Sequence, residues 1–404
     1  MTWSYLTILL CFYAFIKEIK VAEPFIFKYQ TEVLNIENAQ LNGEVYPYFT
    51  YSYLVFSIPI FLLTDLLLYK PTMIVEMIGQ IVFRSTLNFG VSVFSQQIGQ
   101  ITYALATSSE IGFFAYIYAR LEKDQHRKLT SWTRAATMGG RTFGYFMCQT
   151  IILTRIGDYV TLIRIALVFP CVVFLISLFL PRVRWKKMAK RLSEVNGSGE
   201  PRSTQGQMTE SCTIPTTYSA YLKGRLYKMT SEVIKIYKIG HIRKWSLWWA
   251  LTTCMSLQVS QYAQAIWGEV QHGAYNPFNG FAEAAYTATA ATAILVMSLI
   301  RIDWDRWGEI TLVLISIIDA SCLLINAQTE SIYVMYGCYI GYRSLFQVMI
   351  TIAQYNLAQK MVGESYGLVF GLNSFLALVL QTILTVIVSD KRGLSLPPRQ
   401  QVLF

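Results

Sequence analysis

Thr107-Ser108-Ser109-Glu110-Ile111-Gly112-Phe113-Phe114-Ala115-Tyr116-Ile117-Tyr118 lies inside an apolar run from Ile101 to Ala119. Wound as a helix, a run of that length crosses about 30 Å of hydrocarbon. Glu110 stands in its middle, where a carboxylate costs about 2.5–3.5 kcal/mol on insertion scales. Such a group must face a partner, a cavity or a ligand. The stretch is therefore read as a membrane span, with Glu110 as a candidate site residue.

The rest of the chain has the same character. Of 404 residues, 54% are hydrophobic and 14% charged, against about 25% charged in a soluble domain. Mean hydropathy is +0.39. The deficit of charge runs along the whole chain, so an all-α polytopic membrane protein is expected. The aromatic residues, 14% of the chain, suit interfacial belts and the lining of a cavity. The seven cysteines show no CxxC spacing or pairing with the three histidines, so neither a metal site nor a disulfide framework is indicated. No phosphate loop, nucleophile–base pair or large soluble domain accompanies them. The chain is not read as an enzyme, and no cofactor is expected. The first apolar stretch, Trp3 to Phe15, has no basic residues before it and is read as a membrane helix rather than a leader.

Hydropathy places helices over about Trp3–Lys20, Tyr46–Tyr69, Thr72–Phe94, the opening stretch, Ser131–Leu153 and Tyr159–Leu180. Five more follow at about Trp245–Trp267, Asn279–Ile300, Trp307–Ala327, Ile332–Leu357 and Tyr366–Val388. Lys28–Glu44 reads as a polar exterior loop and Leu121–Thr130 as a charged one. Three divisions are expected: residues 1–180, a six-helix half; 181–244, a largely disordered linker; and 245–404, a five-helix half. The linker holds 14 Lys/Arg against 4 Asp/Glu, a net charge of +10 that equals that of the whole chain. With no nucleic-acid motif beside it, the linker is read as lying against the anionic inner leaflet. The basic loops fall after even-numbered helices, which places the N-terminus and the linker in the cytoplasm. Two helical halves joined by a basic linker describe a major-facilitator-type two-half bundle, the plan of a secondary transporter. About eleven spans are expected, a twelfth being absent.

Several blocks narrow the reading. Gly43-Glu44-Val45-Tyr46-Pro47-Tyr48-Phe49-Thr50-Tyr51-Ser52-Tyr53-Leu54 and Pro59-Ile60-Phe61-Leu62-Leu63-Thr64-Asp65 resemble the second helix of the reduced folate carrier and thiamine transporter family. Ala22-Glu23-Pro24-Phe25, Trp245-Ser246-Leu247-Trp248-Trp249, Tyr366 to Phe375 and Val388 to Leu394 are similar to further blocks of it, in order. The resemblance implies a plasma-membrane carrier of a water-soluble vitamin, with a proton or an exchanged anion as counter-substrate. Family members continue into a twelfth helix beyond Pro397.

The resemblance also implies a site. Folates are dianions, and their carriers place Arg and Lys where this chain has Glu110 and Gln381. Thiamine is a cation, and its carriers place Glu and Gln there. Glu23, Glu283, Gln261 and Arg343 match further cavity positions, and Phe49 and Phe113 offer flat faces to an aromatic cation. Phe49 stands where the thiamine branch has Trp, Phe113 where it has Tyr, and Arg141 where the family has an aromatic or aliphatic residue. Were Arg141 to face Glu110, the two would be neutral together and the cation preference would fade. A thiamine-like cation, a folate and a non-transporting relative thus remain three readings. Asp65 with Arg134 is read as a structural charge pair. Glu76 and Arg84, eight residues apart, are read as structural or snorkelling. Arg164 and Asp319 are read as contacts between helices.

Overall fold

The computed structural model describes residues 5–66, 69–110, 112–113, 116–117, 123–182, 237–238, 240–271, 278–299, 304–360 and 366–401. The expected linker lies almost wholly outside them. Among the described residues the secondary structure is helical and turn, without strands. Among the described residues eleven long helices follow one another: α1 (Tyr5–Lys17), α2 (Tyr46–Leu66), α3 (Lys70–Phe89), α4 (Val93–Ser109), α5 (Lys123–Leu153) and α6 (Tyr159–Phe179), then α7 (Gly240–Val270), α8 (Asn279–Leu299), α9 (Trp304–Gln328), α10 (Ile332–Lys360) and α11 (Tyr366–Val388).

Several boundaries differ from the sequence expectation. α1 stops at Lys17, and the chain unwinds over Glu18–Ala22 before short turns resume at Glu23–Phe25. The residues expected to form a loop at 28–44 are largely helical turns, and Lys28, Tyr29, Gln30, Leu41, Asn42 and Gly43 are buried. α3 ends at Phe89 rather than Phe94, because Gly90 closes it and Ser92 caps the next helix, its side chain accepting from the Ser95 amide at 3.2 Å. α4 ends at Ser109, with Glu110 in the turn that follows. α5 begins at Lys123, absorbing most of the expected charged loop.

α6, α9 and α11 contain segments long and apolar enough to cross a membrane by composition alone: Tyr159–Phe179, Trp307–Gln328 and Gly371–Val388. α1 is apolar but shorter, over Thr7–Lys17, and α3 carries the buried polar groups Lys70, Glu76 and Arg84. α6 and α9 expose Val168, Val172 and Leu175, and Val313, Leu314 and Ile317, an arrangement suited to lipid. Asp158 caps α6, accepting from the Thr161 amide and hydroxyl at 2.8 Å each. Those bonds hold its carboxyl below the usual range. The contribution of this cap is therefore complete at neutral pH and lost as pH falls through the lowered value. An Asp158→Ala variant should melt lower by the equivalent of about 1 kcal/mol, with the difference shrinking in acid.

α1 packs on α5 and α6, α3 on α4 and α6, and α2 on α4; α8 and α9 pack on α10, and α7 on α10 and α11. Two helix pairs join the first six helices to the last five, α5 with α8 and α2 with α11. Their polar contacts gather where α2, α7, α8 and α11 have their Tyr46, Val270, Asn279 and Val388 ends. There Tyr51 donates to Asp390 at 2.5 Å, Lys391 meets Glu44 at 3.1 Å and Gly280 N donates to Gln149 at 2.8 Å. In the same region Asn279 donates to the Pro24 carbonyl at 3.4 Å.

Close approach of α1 to α5 depends on glycine. A Cβ on Gly140 would lie 2.2 Å from the Phe15 carbonyl oxygen, and one on Gly144 would lie 2.7 Å from the Lys20 nitrogen. Neither backbone atom can swing aside as a side-chain tip would. Gly140→Ala is expected to cost about 1–3 kcal/mol by overpacking, read as a lower melting temperature of the purified protein.

Candidate transport site

The end of α1 and the stretch after it carry Lys17, Glu18, Lys20 and Glu23, and these meet charges from α3, the turn after α4, and α5. Lys17 Nζ lies 2.7 Å from Glu76, 3.4 Å from Glu110 and 3.6 Å from Glu18. Arg141 Nε donates to Glu18 Oε2 at 2.7 Å. Lys20 lies 3.4 Å from Glu23 and 3.8 Å from Glu18, and Arg84 lies 3.3 Å from Glu23. Four carboxylates thus meet four cations, and the cluster is balanced. Tyr103 and Tyr145 also donate to Glu23, at 3.1 and 3.2 Å.

Exposure separates the carboxylates. The side chains of Glu18 and Glu76 are 2% and 4% exposed, whereas that of Glu110 is 30% exposed. Glu110 shares its lysine with Glu76, and its own contact is the longer. Its carboxylate is the most open of the four. Arg141, the residue whose position bore on the cation preference, bonds to Glu18. Glu110 is partly neutralised all the same, by Lys17. Glu76 and Arg84 do not face each other; they bind Lys17 and Glu23 respectively.

The two candidate phenyl rings lie in packed surroundings. Phe113 is 1% exposed and stacks on Tyr13 at 5.2 Å, with Lys17 Nζ 5.4 Å from its ring centre. Phe49 packs against Tyr53 and Tyr103 at 5.6 and 5.3 Å, and Tyr103 stacks on Phe83 at 4.5 Å. The Phe49–Tyr103–Phe83 row therefore stands beside Glu23.

Across the α5–α8 seam, Thr142 and Thr287 hydroxyls meet at 2.9 Å. Tyr145, which binds Glu23, packs in the same cluster as Ala282, Ala284, Tyr286 and Tyr339. Glu283 is buried there and accepts from Tyr339 at 3.0 Å. Arg343 donates to the Ser256 hydroxyl at 3.1 Å and lies 4.9 Å from the Tyr286 ring centre. Glu23, Arg141 and Glu283 are thus gathered along one seam, with Arg343 behind its tyrosines. Gln381 of α11 is fully buried, and neither its amide nitrogen nor its oxygen has a hydrogen-bond partner among the described residues. Arg134 is exposed, and the Asp65 side chain lies outside the described residues. Arg164 is exposed and Asp319 half-buried.

Gln261 is half-buried on α7, while Gln264, one turn on, holds the unwound segment. Its amide nitrogen donates to the Glu23 carbonyl and its oxygen accepts from the Phe27 amide at 3.2 Å. One side chain thus serves both a donor and an acceptor at the break in α1. Gln264→Leu should leave both without that partner and cost about 1–3 kcal/mol, measurable as a fall in melting temperature.

The sequence reading missed Lys17, Glu18 and Lys20. The signal was present in Lys17-Glu18-Ile19-Lys20, alternating charges at the end of an apolar run immediately before Glu23-Pro24. The expected helix runs through Lys20; the chain instead leaves the helix at Glu18 and puts these charges inside.

Residues 1–404 match the family model described as Reduced folate carrier. Folate-like transporter 2 of Caenorhabditis elegans is 38% identical over 392 residues, covering 97% of this chain and 91% of the relative. Thiamine transporter 2 of Homo sapiens is 32% identical over 431 residues, covering 100% and 87%. Among solved structures, the nucleoside transporter NupG superposes with a TM-score of 0.63 at 11% identity, covering 99% of this chain and 95% of that one. The D-xylose-proton symporter gives 0.61 at 12%, covering 98% and 94%. At such identities the shared property is the fold, which is of the major facilitator type. The protein is a multi-pass membrane transporter and not an enzyme, and with the family model matched from end to end the chain belongs to the reduced folate carrier family.

Proposed function

We propose that the protein carries a thiamine-like organic cation across the plasma membrane by alternating access, with Glu110 as the carboxylate that meets the cation. The observation that carries this reading is the contrast within the charge cluster. Glu18, Glu23 and Glu76 are held by close cations or several donors, while Glu110 is the open one at 30% exposure. A charged hydrogen bond there is worth about 1.5–3 kcal/mol, or roughly ten- to hundredfold in affinity. Gln381, buried with both amide atoms unpartnered, supplies a neutral donor and acceptor where a second anion or cation would bias the charge. Glu23, Phe49, Arg141, Glu283 and Arg343 line or brace the same region. Phe113 acts from beneath, fixing Lys17.

Residues 1–180 and 245–404 act as the two rocking halves, with 181–244 as a cytoplasmic linker and the N-terminus on the same side. In that orientation the contacts of Tyr51 with Asp390, Glu44 with Lys391 and Gly280 with Gln149 close the exterior end. The described conformation is then the one that opens inward. A proton or an exchanged anion balances the movement.

A folate is the second reading, favoured by the part-exposed Arg141, whose side chain is 20% accessible beside Glu18. Uptake of labelled thiamine and labelled folate into cells displaying the chain at their surface decides between them. Thiamine should accumulate and folate should not. If neither enters while the protein is at the surface, both substrates are ruled out.

A further inference from the structure

We infer that the N-terminal half contains a binding site for a monovalent, chloride-sized anion, separate from the open face of Glu110. A small cavity lies between α1, α3 and α6, lined among others by Lys17, Lys20, Gln80, Arg84, Ala166 and Pro170. Three of these are cations, and among the described residues no carboxylate lines the cavity. The four carboxylates of the cluster touch the same cations from other directions. The cluster is balanced as a whole, yet the wall of the cavity is positive.

Arg84 provides the independent observation. It is 2% exposed, and only NH2 has a bonded partner, Glu23 at 3.3 Å. Its Nε and NH1 are buried without a hydrogen-bond partner. A guanidinium has five N–H donors and no acceptor, so what it lacks is an acceptor. Leaving such donors dry is costly. Lys20 adds an ammonium held only at 3.4 and 3.8 Å by Glu23 and Glu18. Ala166 and Pro170 contribute an apolar wall, where an ionic attraction is screened less than in water. Gln80 offers a side-chain amide. Donors on one side, an apolar wall on the other and room for little more than a water molecule select a small halide over a carboxylate, sulfate or phosphate.

The site also reaches the transport cluster. Lys17 lines the cavity and pairs with Glu110. A bound anion draws Lys17 toward itself and loosens its hold on Glu110.

The test uses the purified full-length chain in detergent, without any vitamin, so its outcome stands apart from the substrate reading. At constant pH and ionic strength, gluconate is replaced stepwise by chloride, bromide or sulfate, and melting temperature is recorded. Chloride and bromide should raise it saturably, and sulfate should match gluconate. Gln80→Leu keeps every charge and replaces the lining amide by an apolar side chain; it should raise the half-saturating chloride concentration by about tenfold or more. Arg84→Lys keeps the charge and removes the fork, and should do the same, so the test survives if one variant does not fold. Identical melting in all four salts would overturn the proposal, as would a chloride response unchanged in the variant that folds. Either result would mean that water alone meets Arg84.

Discussion

Glu18→Ala is expected to cost about 3–5 kcal/mol, the range for breaking a buried ion pair from one side. Glu18 is 2% exposed and accepts from Arg141 at 2.7 Å, with Lys17 and Lys20 at 3.6 and 3.8 Å. Its removal leaves three cations around a hole in a low-dielectric interior, two of which retain other carboxylates. Arg141 has no second ion pair among the described contacts and takes most of the loss. The measurement is the melting temperature of purified protein beside the double variant Glu18→Met, Arg141→Met. Removing both partners should recover most of the loss, because packed apolar residues replace a buried pair at little cost. A double variant as unstable as Glu18→Ala would show that Glu18 serves Lys17 and Lys20 rather than Arg141.

The second large effect concerns charge preference. Lys17 is the tethered cation that competes with a substrate for Glu110. It cannot be removed alone, since Glu76 is 4% exposed and bonds it at 2.7 Å. The pair Lys17→Met with Glu76→Gln removes one positive and one negative charge, leaving the cluster balanced and Glu110 unshared. Affinity for a thiamine-like cation should then rise by about tenfold, the lower end of what one charged hydrogen bond supplies. The same substitutions should leave folate uptake at background. A fall in cation affinity, with the protein folded and at the surface, would show that Lys17 positions Glu110 rather than competing for it.

Much of this was legible in the sequence. The eleven helices were readable because long apolar runs have few other fates in hydrocarbon. Glu110 stood out because a lone carboxylate in such a run is costly. The break in α1 was harder to see. Pro24 signals an interruption, but it lies two residues past Ala22, where the unwound stretch ends. The contacts made at the break are tertiary: Gly140 and Gly144 leave room for the backbone of Phe15 and Lys20 against α5, and Gln264 of α7 binds the Glu23 carbonyl. None of these is near α1 in sequence. The sequence leaves open whether Arg141 faces Glu110; in the fold Glu18, just past the end of α1, takes it. Phe113 reads as a flat face for an aromatic cation. The chain turns after Ser109, and Phe113 packs on Tyr13 instead.

Glu110 is the group proposed to meet a cationic substrate. Equilibrium binding of labelled thiamine to purified wild type and Glu110→Gln, with melting temperatures recorded in parallel, tests it most directly. Wild type should bind saturably and Glu110→Gln about ten- to hundredfold more weakly, with stability little changed because Glu110 is the most open carboxylate of the cluster. Equal binding by the two proteins, or binding of folate but not thiamine by wild type, would contradict it.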